Sequence, residues 1–248
     1  MVKHDWQVHQ VRATAFPTER MDPTEASTLW EQLSGSAPDT DQFVRSQGLR
    51  RQVGLYDDGA ILEVRLQPPR IDWQLTPQLQ PGGSLPSLGT YESVIPLFAS
   101  KVRKWLDGTP LTFLRLAFAP HLFTPVASRQ EGYQHIADLV PSLRLQSNAE
   151  VSDLLFQINH PRPSKAVADL RLNAVQKWAV AAVQGFELAV GESSVAHPVS
   201  MDHFCQLEMD INTAPTSPPR TLDSDNVPSI FDELVSVADK IAARGERA

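Results

Sequence analysis

Only one of the 248 residues is a cysteine, so no disulfide can form within the chain, and nothing points to an oxidising compartment. Glycine is scarce at 12 residues, and neither a Gly-x-Gly-x-x-Gly nor a Walker-type loop is present to wrap phosphate in backbone amides. No serine sits in a Gly-x-Ser-x-Gly elbow. No apolar run approaches the roughly 20 residues of a bilayer-crossing helix. The opening residues, MVKHDWQVHQV, lack a basic segment followed by an apolar stretch, so no secretory signal is expected. Positive charge is in deficit, with 22 Lys and Arg against 29 Asp and Glu for a net charge of −7. Nucleic-acid binders gather positive charge to neutralise phosphates, so that balance disfavours such a partner without excluding it. Lys101, Arg103 and Lys104, or Arg50 and Arg51, are the seeds of a local basic face. A cytoplasmic protein without a membrane partner is the expectation.

What is there suits a folded domain. Hydrophobic residues make up 42% and charged residues 21%, and a chain of this length can bury a substantial core. Residues 8–16 alternate loosely and read as a strand. Asp22-Pro-Thr-Glu25 reads as a capped helix start, with Ala26, Leu29, Trp30 and Leu33 at helical spacing and Gly35 as the stop. A polar connector leads to two apolar runs around Asp57-Asp58-Gly59, a hairpin signal because Asp-Gly tolerates positive φ. Arg70 to Leu75 extends the meander. Tyr91, Val94, Ile95, Phe98, Val102 and Trp105 then mark one face of a long helix over 91–106, with Pro96 near its start and Gly108 as its stop.

The pattern begins again at residue 111. A strand over 111–120 precedes Ser128-Arg-Gln-Glu131, a second capping box. Strands over 151–159 and 169–183 flank the loop His160-Pro-Arg-Pro-Ser164, and 201–212 reads as another strand. Asp225 or Asn226 caps a final amphipathic helix that Gly245 ends. Val11–Pro17 (VRATAFP) even matches Leu114–Pro120 (LRLAFAP). The expectation is an α+β fold, a largely antiparallel curved sheet with long amphipathic helices on one face. Its two pseudo-symmetric β-α-β-β-β-α halves would span 1–108 and 109–248 within one unit. The saddle of the TATA-binding protein shares that logic, at the level of architecture alone.

Chemistry, if any, should surface in Met201–Asn212, MDHFCQLEMDIN. On a strand, side chains alternate faces, so His203, Cys205, Leu207, Met209 and Ile211 fall on the apolar side. Glu208 and Asp210 fall on the other with Phe204, Gln206 and Asn212. A metal site gathers three or more ligands on one side, so the pleat argues against one and against a bound cofactor. Glu208 and Asp210, with Asp57 and Glu63, are the candidates for a metal-dependent nuclease or phosphodiesterase, although polar residues on a solvent face are the simpler reading. His160 and Arg162, stiffened by flanking prolines, are the exposed binding candidates for an anion or peptide. The remaining histidines, among them His4 and His197, show no ligand spacing. Trp30, Trp73 and Trp105 belong to apolar faces. Trp178 suits a core position or a partner-facing anchor equally.

The order ILEVRLQPPRIDWQLTP, loop, TYESVIPLFASKVRKW resembles a sporadically distributed family of uncharacterised bacterial proteins. The resemblance rests on the Asp72-Trp73 step at the end of a strand pair and on a following helix with Tyr91 and Phe98. It implies an accessory system such as phage defence or toxin control. Taken together, these features predict a non-enzymatic protein that binds another protein, a second copy of itself included, through sheet edges and an open sheet face. The rivals are the nuclease and a small-ligand sensor with its pocket between sheet and long helices.

Overall fold

Period-two alternation builds most of the molecule. The computed structural model describes residues 5–21, 29–79, 85–145, 152–189 and 195–247, and the side chains of 185–200 lie outside the description. Its strands are β1 (Gln7–Pro17), β2 (Thr40–Val44), β3 (Leu49–Tyr56), β4 (Ala60–Gln67), β5 (Arg70–Pro77), β6 (Phe113–Val126), β7 (Leu155–Asn159), β8 (Arg162–Pro163), β9 (Arg171–Ala189) and β10 (Val195–Thr213). All ten join one open sheet in the order β2-β3-β4-β5-β1-β6-β10-β9-β7, with β8 also beside β9. Every pairing is antiparallel. The helices are α1 (Leu29–Ser34), α2 (Tyr91–Gly108), α3 (Arg129–Leu139) and α4 (Val227–Arg244). This is the α+β architecture that the pattern predicts.

The sheet order is nearly mirrored about the central β1–β6 pair. From that pair outward, β5, β4 and β3 on one side answer β10, β9 and β7 with β8 on the other, and β2 alone lacks a counterpart. The two similar phrases run side by side. Arg12 lies opposite Ala119, Arg115 opposite Phe16, and Thr14 opposite Ala117 at the midpoint. Each half thus runs β-α-β-β-β-β-α, one strand longer than the pattern predicts.

All four helices cover the same face. Trp73, Ala13, Phe118 and Ile211 are linked by direct cross-strand pairing and so point the same way. Trp105 of α2 stacks on Trp73 with ring centroids 4.6 Å apart, and Phe231 of α4 meets Phe118 edge-on at 5.9 Å. At each flank a short helix comes in close. A Cβ at Gly54 would lie 2.9 Å from the Trp30 ring, and one at Gly132 2.9 Å from Val180. The long helices run antiparallel to each other, since Tyr91 Oη donates to Asp239 at 2.8 Å while Arg103 Nε donates to Asp232 at 2.8 Å. Burying each such large apolar side chain contributes about 1.5–3 kcal/mol. Among the described residues no helix is long and apolar enough to cross a membrane.

Local signals place the helix ends. Thr90 accepts from Ser93 N to start α2. Ser128 accepts from Glu131 N at 3.2 Å, and the Glu131 carboxylate reaches back past the cap to accept from Ala127 N at 2.8 Å, a variant of the second capping box. The final helix differs from expectation. Asn226 makes no side-chain cap, and Asp223 instead accepts from Asp225 N in the single turn before it. The proposed cap at Asp22 lies outside the described residues. The polar connector hides β2, whose five residues are all exposed.

Candidate functional site

The pleat divides MDHFCQLEMDIN as its alternation predicts. Cys205, Leu207 and Ile211 are wholly buried under the helices, and the Cys205 thiol donates to the Gly132 carbonyl of α3 at 3.3 Å. Burial, with the Glu131 charge nearby, pushes that thiol up to about 12. It is a core group without nucleophilic use.

Glu208 and Asp210 face the other way, onto the sheet surface that no described α-helix covers. Register assembles a line of polar residues there across five strands. Gln10 lies opposite His121, His121 opposite Glu208, Glu208 opposite Lys177, and Lys177 opposite Gln157. Lys177 Nζ pairs with Glu208 at 2.8 Å. The next line, two residues along, holds Arg12 on β1 opposite Ala119 on β6, with Asp210 on the far side of Ala119 on β10. Together Gln10, Arg12, His121, Lys177, Glu208 and Asp210 border a depression of about 420 Å³.

The electrostatics of this depression are uneven. Asp210 Oδ1 accepts from Asn212 Nδ2 at 2.9 Å. Asn212 is itself held by Arg115 at 3.2 Å and Asn173 at 3.1 Å, so the carboxylate is oriented by a chain of amides. Arg12 has no such support: its Nε is sealed from water without an acceptor. Its counterpart in the second half, Arg115, donates to the Thr213 carbonyl at 3.1 Å and lies over the Phe16 ring at 5.1 Å. His121 packs edge-on against His9 at 5.2 Å, and its Nε2 is also buried without a partner. Burial lowers His121 below the usual histidine range, with Glu208 pulling the other way, so the ring is neutral at pH 7.

The other sequence candidates do not join this group. Glu63 shares the open face but sits on β4, four strand spacings from β10, or about 19 Å. There Arg51 and Arg65 bracket it at 2.6 Å each. Burial pushes the Glu63 carboxyl up, and the two arginines more than offset this, leaving it lowered. Asp57 lies in the β3–β4 turn beside a separate depression of about 230 Å³. Among the described residues no three His, Cys, Asp or Glu side chains converge as metal ligands. The four acids proposed for a nuclease therefore divide into a pair and two isolated members.

His160 and Arg162 stand at the outer edge of the sheet, where β8 continues beside β9 and His160 Nε2 lies 3.5 Å from Glu246. They sit apart from the central depression. Trp178 is corrected as a binding anchor. It is 0% exposed, packs on Trp6 at 6.2 Å and donates to Gln176 at 3.2 Å, so no partner reaches it in the folded chain. A further cavity of about 300 Å³ lies beside the start of α4, lined by Leu170, Leu222 and Ile230 with Arg220 and Asp169. Sequence reasoning missed Arg12, His121 and Lys177, because only the β1–β6–β10–β9 register brings them together. Comparison with known protein families, curated proteins and solved structures finds no match to this chain.

Proposed function

We propose that the chain is a non-enzymatic binding protein that seats another protein on the open face of its sheet. One observation carries the reading: the four described α-helices lie over one face, and among the described residues no α-helix covers the other face of the ten-stranded sheet. That surface carries Arg51, Arg65, Arg70 and Arg115 among paired acids, and arginine is enriched where proteins meet. Among the described strands β2 and β7 end the sheet, beside exposed Phe43 and Leu155, which suits strand addition at the rim. The family resemblance adds an accessory system such as phage defence as the setting.

The test compares what co-purifies with the native chain and with variants. Arg51→Glu with Arg65→Glu reverses charge on the open face, whereas Lys101→Glu with Lys104→Glu reverses it on the outer face of α2. The reading requires the first pair to lose the partner and the second to keep it. An identical partner set for both pairs overturns it. Glu208 and Asp210 beside His121 keep the hydrolytic reading in view. Labelled DNA or RNA incubated with Mg²⁺ or Mn²⁺ stays intact if the chain only binds. Cleavage that Glu208→Gln abolishes replaces the proposal with a nuclease.

A further inference from the structure

We infer that the central depression of the open face is a binding site for a small zwitterion, a free α-amino acid or a molecule that likewise presents a carboxylate and an ammonium close together. This goes beyond the docking of a protein and rests on different residues.

The argument starts from the line Arg12, Ala119, Asp210. Arg12 and Asp210 flank the central strand β6, so their Cα atoms stand two strand spacings apart, about 10 Å. On that line the described side chain between them is the methyl of Ala119. A guanidinium and a carboxylate thus face one slot with a low floor, yet they form no ion pair with each other. Asp210 is steered by Asn212 through one oxygen, and its second oxygen has no partner among the described residues. Arg12 is half-buried, with an Nε–H that meets no acceptor. A carboxylate laid against the two terminal nitrogens of the guanidinium takes two parallel N–H bonds.

Charge balance selects the ligand class. Lys177 and Glu208 neutralise one another at 2.8 Å, and the imidazole of His121 adds no charge. Among the described residues that line the depression, Arg12 is left as a cation and Asp210 as an anion without an ion pair. A simple anion would meet Arg12 but also the Asp210 carboxylate, and a simple cation would meet the reverse. A molecule carrying both charges satisfies both ends. At about 420 Å³ the depression falls in the ordinary size range of small-molecule sites.

The experiment uses the purified full chain and the twenty free amino acids, each titrated by calorimetry and by shifts in backbone amide resonances. The inference requires saturable binding of at least one of them. It also requires a loss of at least tenfold for that ligand's N-acetyl and carboxamide derivatives, and a similar loss in Arg12→Gln and in Asp210→Asn. The capped derivatives are tested on the unaltered chain, so the result stands even if a variant folds poorly. Absence of binding by all twenty at millimolar concentration overturns the inference. So does equal affinity for capped and free forms. Because no protein partner is present, neither failure bears on the docking of a protein.

Discussion

The single thiol offers a direct reading of how tightly the helix layer closes over the sheet. Cys205 is wholly buried on β10, and its acidity is displaced from 9.0 to about 12. At pH 8 a thiol at 9.0 is about one-tenth ionised and one at 12 about one part in ten thousand, so ionisation alone slows attack about a thousandfold. Access adds to this. A disulfide reagent cannot touch Sγ while Gly132 of α3 sits 3.3 Å away, so labelling must wait for α3 to lift or for the chain to unfold. The assay follows release of the coloured thiolate from an aromatic disulfide, with and without denaturing urea. The native chain should react at least a thousandfold more slowly than the unfolded one, and the rate should rise with urea. A native rate within tenfold of the unfolded rate refutes the placement of Cys205 under α3 and, with it, the sidedness of β10 that sends Glu208 and Asp210 to the open face.

Other perturbations test neighbouring parts of the structure. Trp178→Ala empties a fully buried site and should cost about 3–5 kcal/mol in urea unfolding; a loss below about 1 kcal/mol would return Trp178 to the surface. Asp239 keeps an exposed side, and partial desolvation raises its carboxyl above the ordinary 3.8, the bond from Tyr91 only partly opposing it. The stability this group lends is present below 3.8 and is lost as pH rises through the raised value. Asp239→Asn, which keeps an acceptor for Tyr91, should therefore melt higher than the parent at pH 7 and converge with it below about pH 4; a difference independent of pH contradicts the account. Glu63 titrates below its ordinary 4.5, so its contribution is present above 4.5 and fades as pH falls through the lowered value. With both arginines half-exposed, Glu63→Gln should cost no more than about 1 kcal/mol at pH 7, and melts at pH 3 should show the difference shrinking.

Several features were legible because they are local. The Asp57–Gly59 turn works because Gly59 takes φ 84°, and the Ser128–Glu131 box satisfies free amides within one turn. Alternation placed Trp73 inward and Asp72 outward, where Asp72 pairs with Arg70 at 2.6 Å and accepts from Thr14 at 2.6 Å. The misses are equally physical. β2 is an edge strand with no buried face, so burial left no period in its sequence. β6 runs on past Pro120 to Val126 because β10 pairs along it, and that extension carries His121. Trp178 has the same flanks whether it meets a partner or the core; only its packing on Trp6 separates the two.

By itself the chain determined most of its strands and both long helices, the division of residues 203–211 between two faces, and the doubling of one pattern, since each follows from periodicity within a few residues. The tertiary structure alone decided which side chains share the open face. Arg12, His121, Lys177 and Asp210 come from four strands far apart in sequence, and they meet only because backbone hydrogen bonding sets the register of β1, β6, β10 and β9. Register is a property of pairs of strands, and one strand's sequence does not contain it.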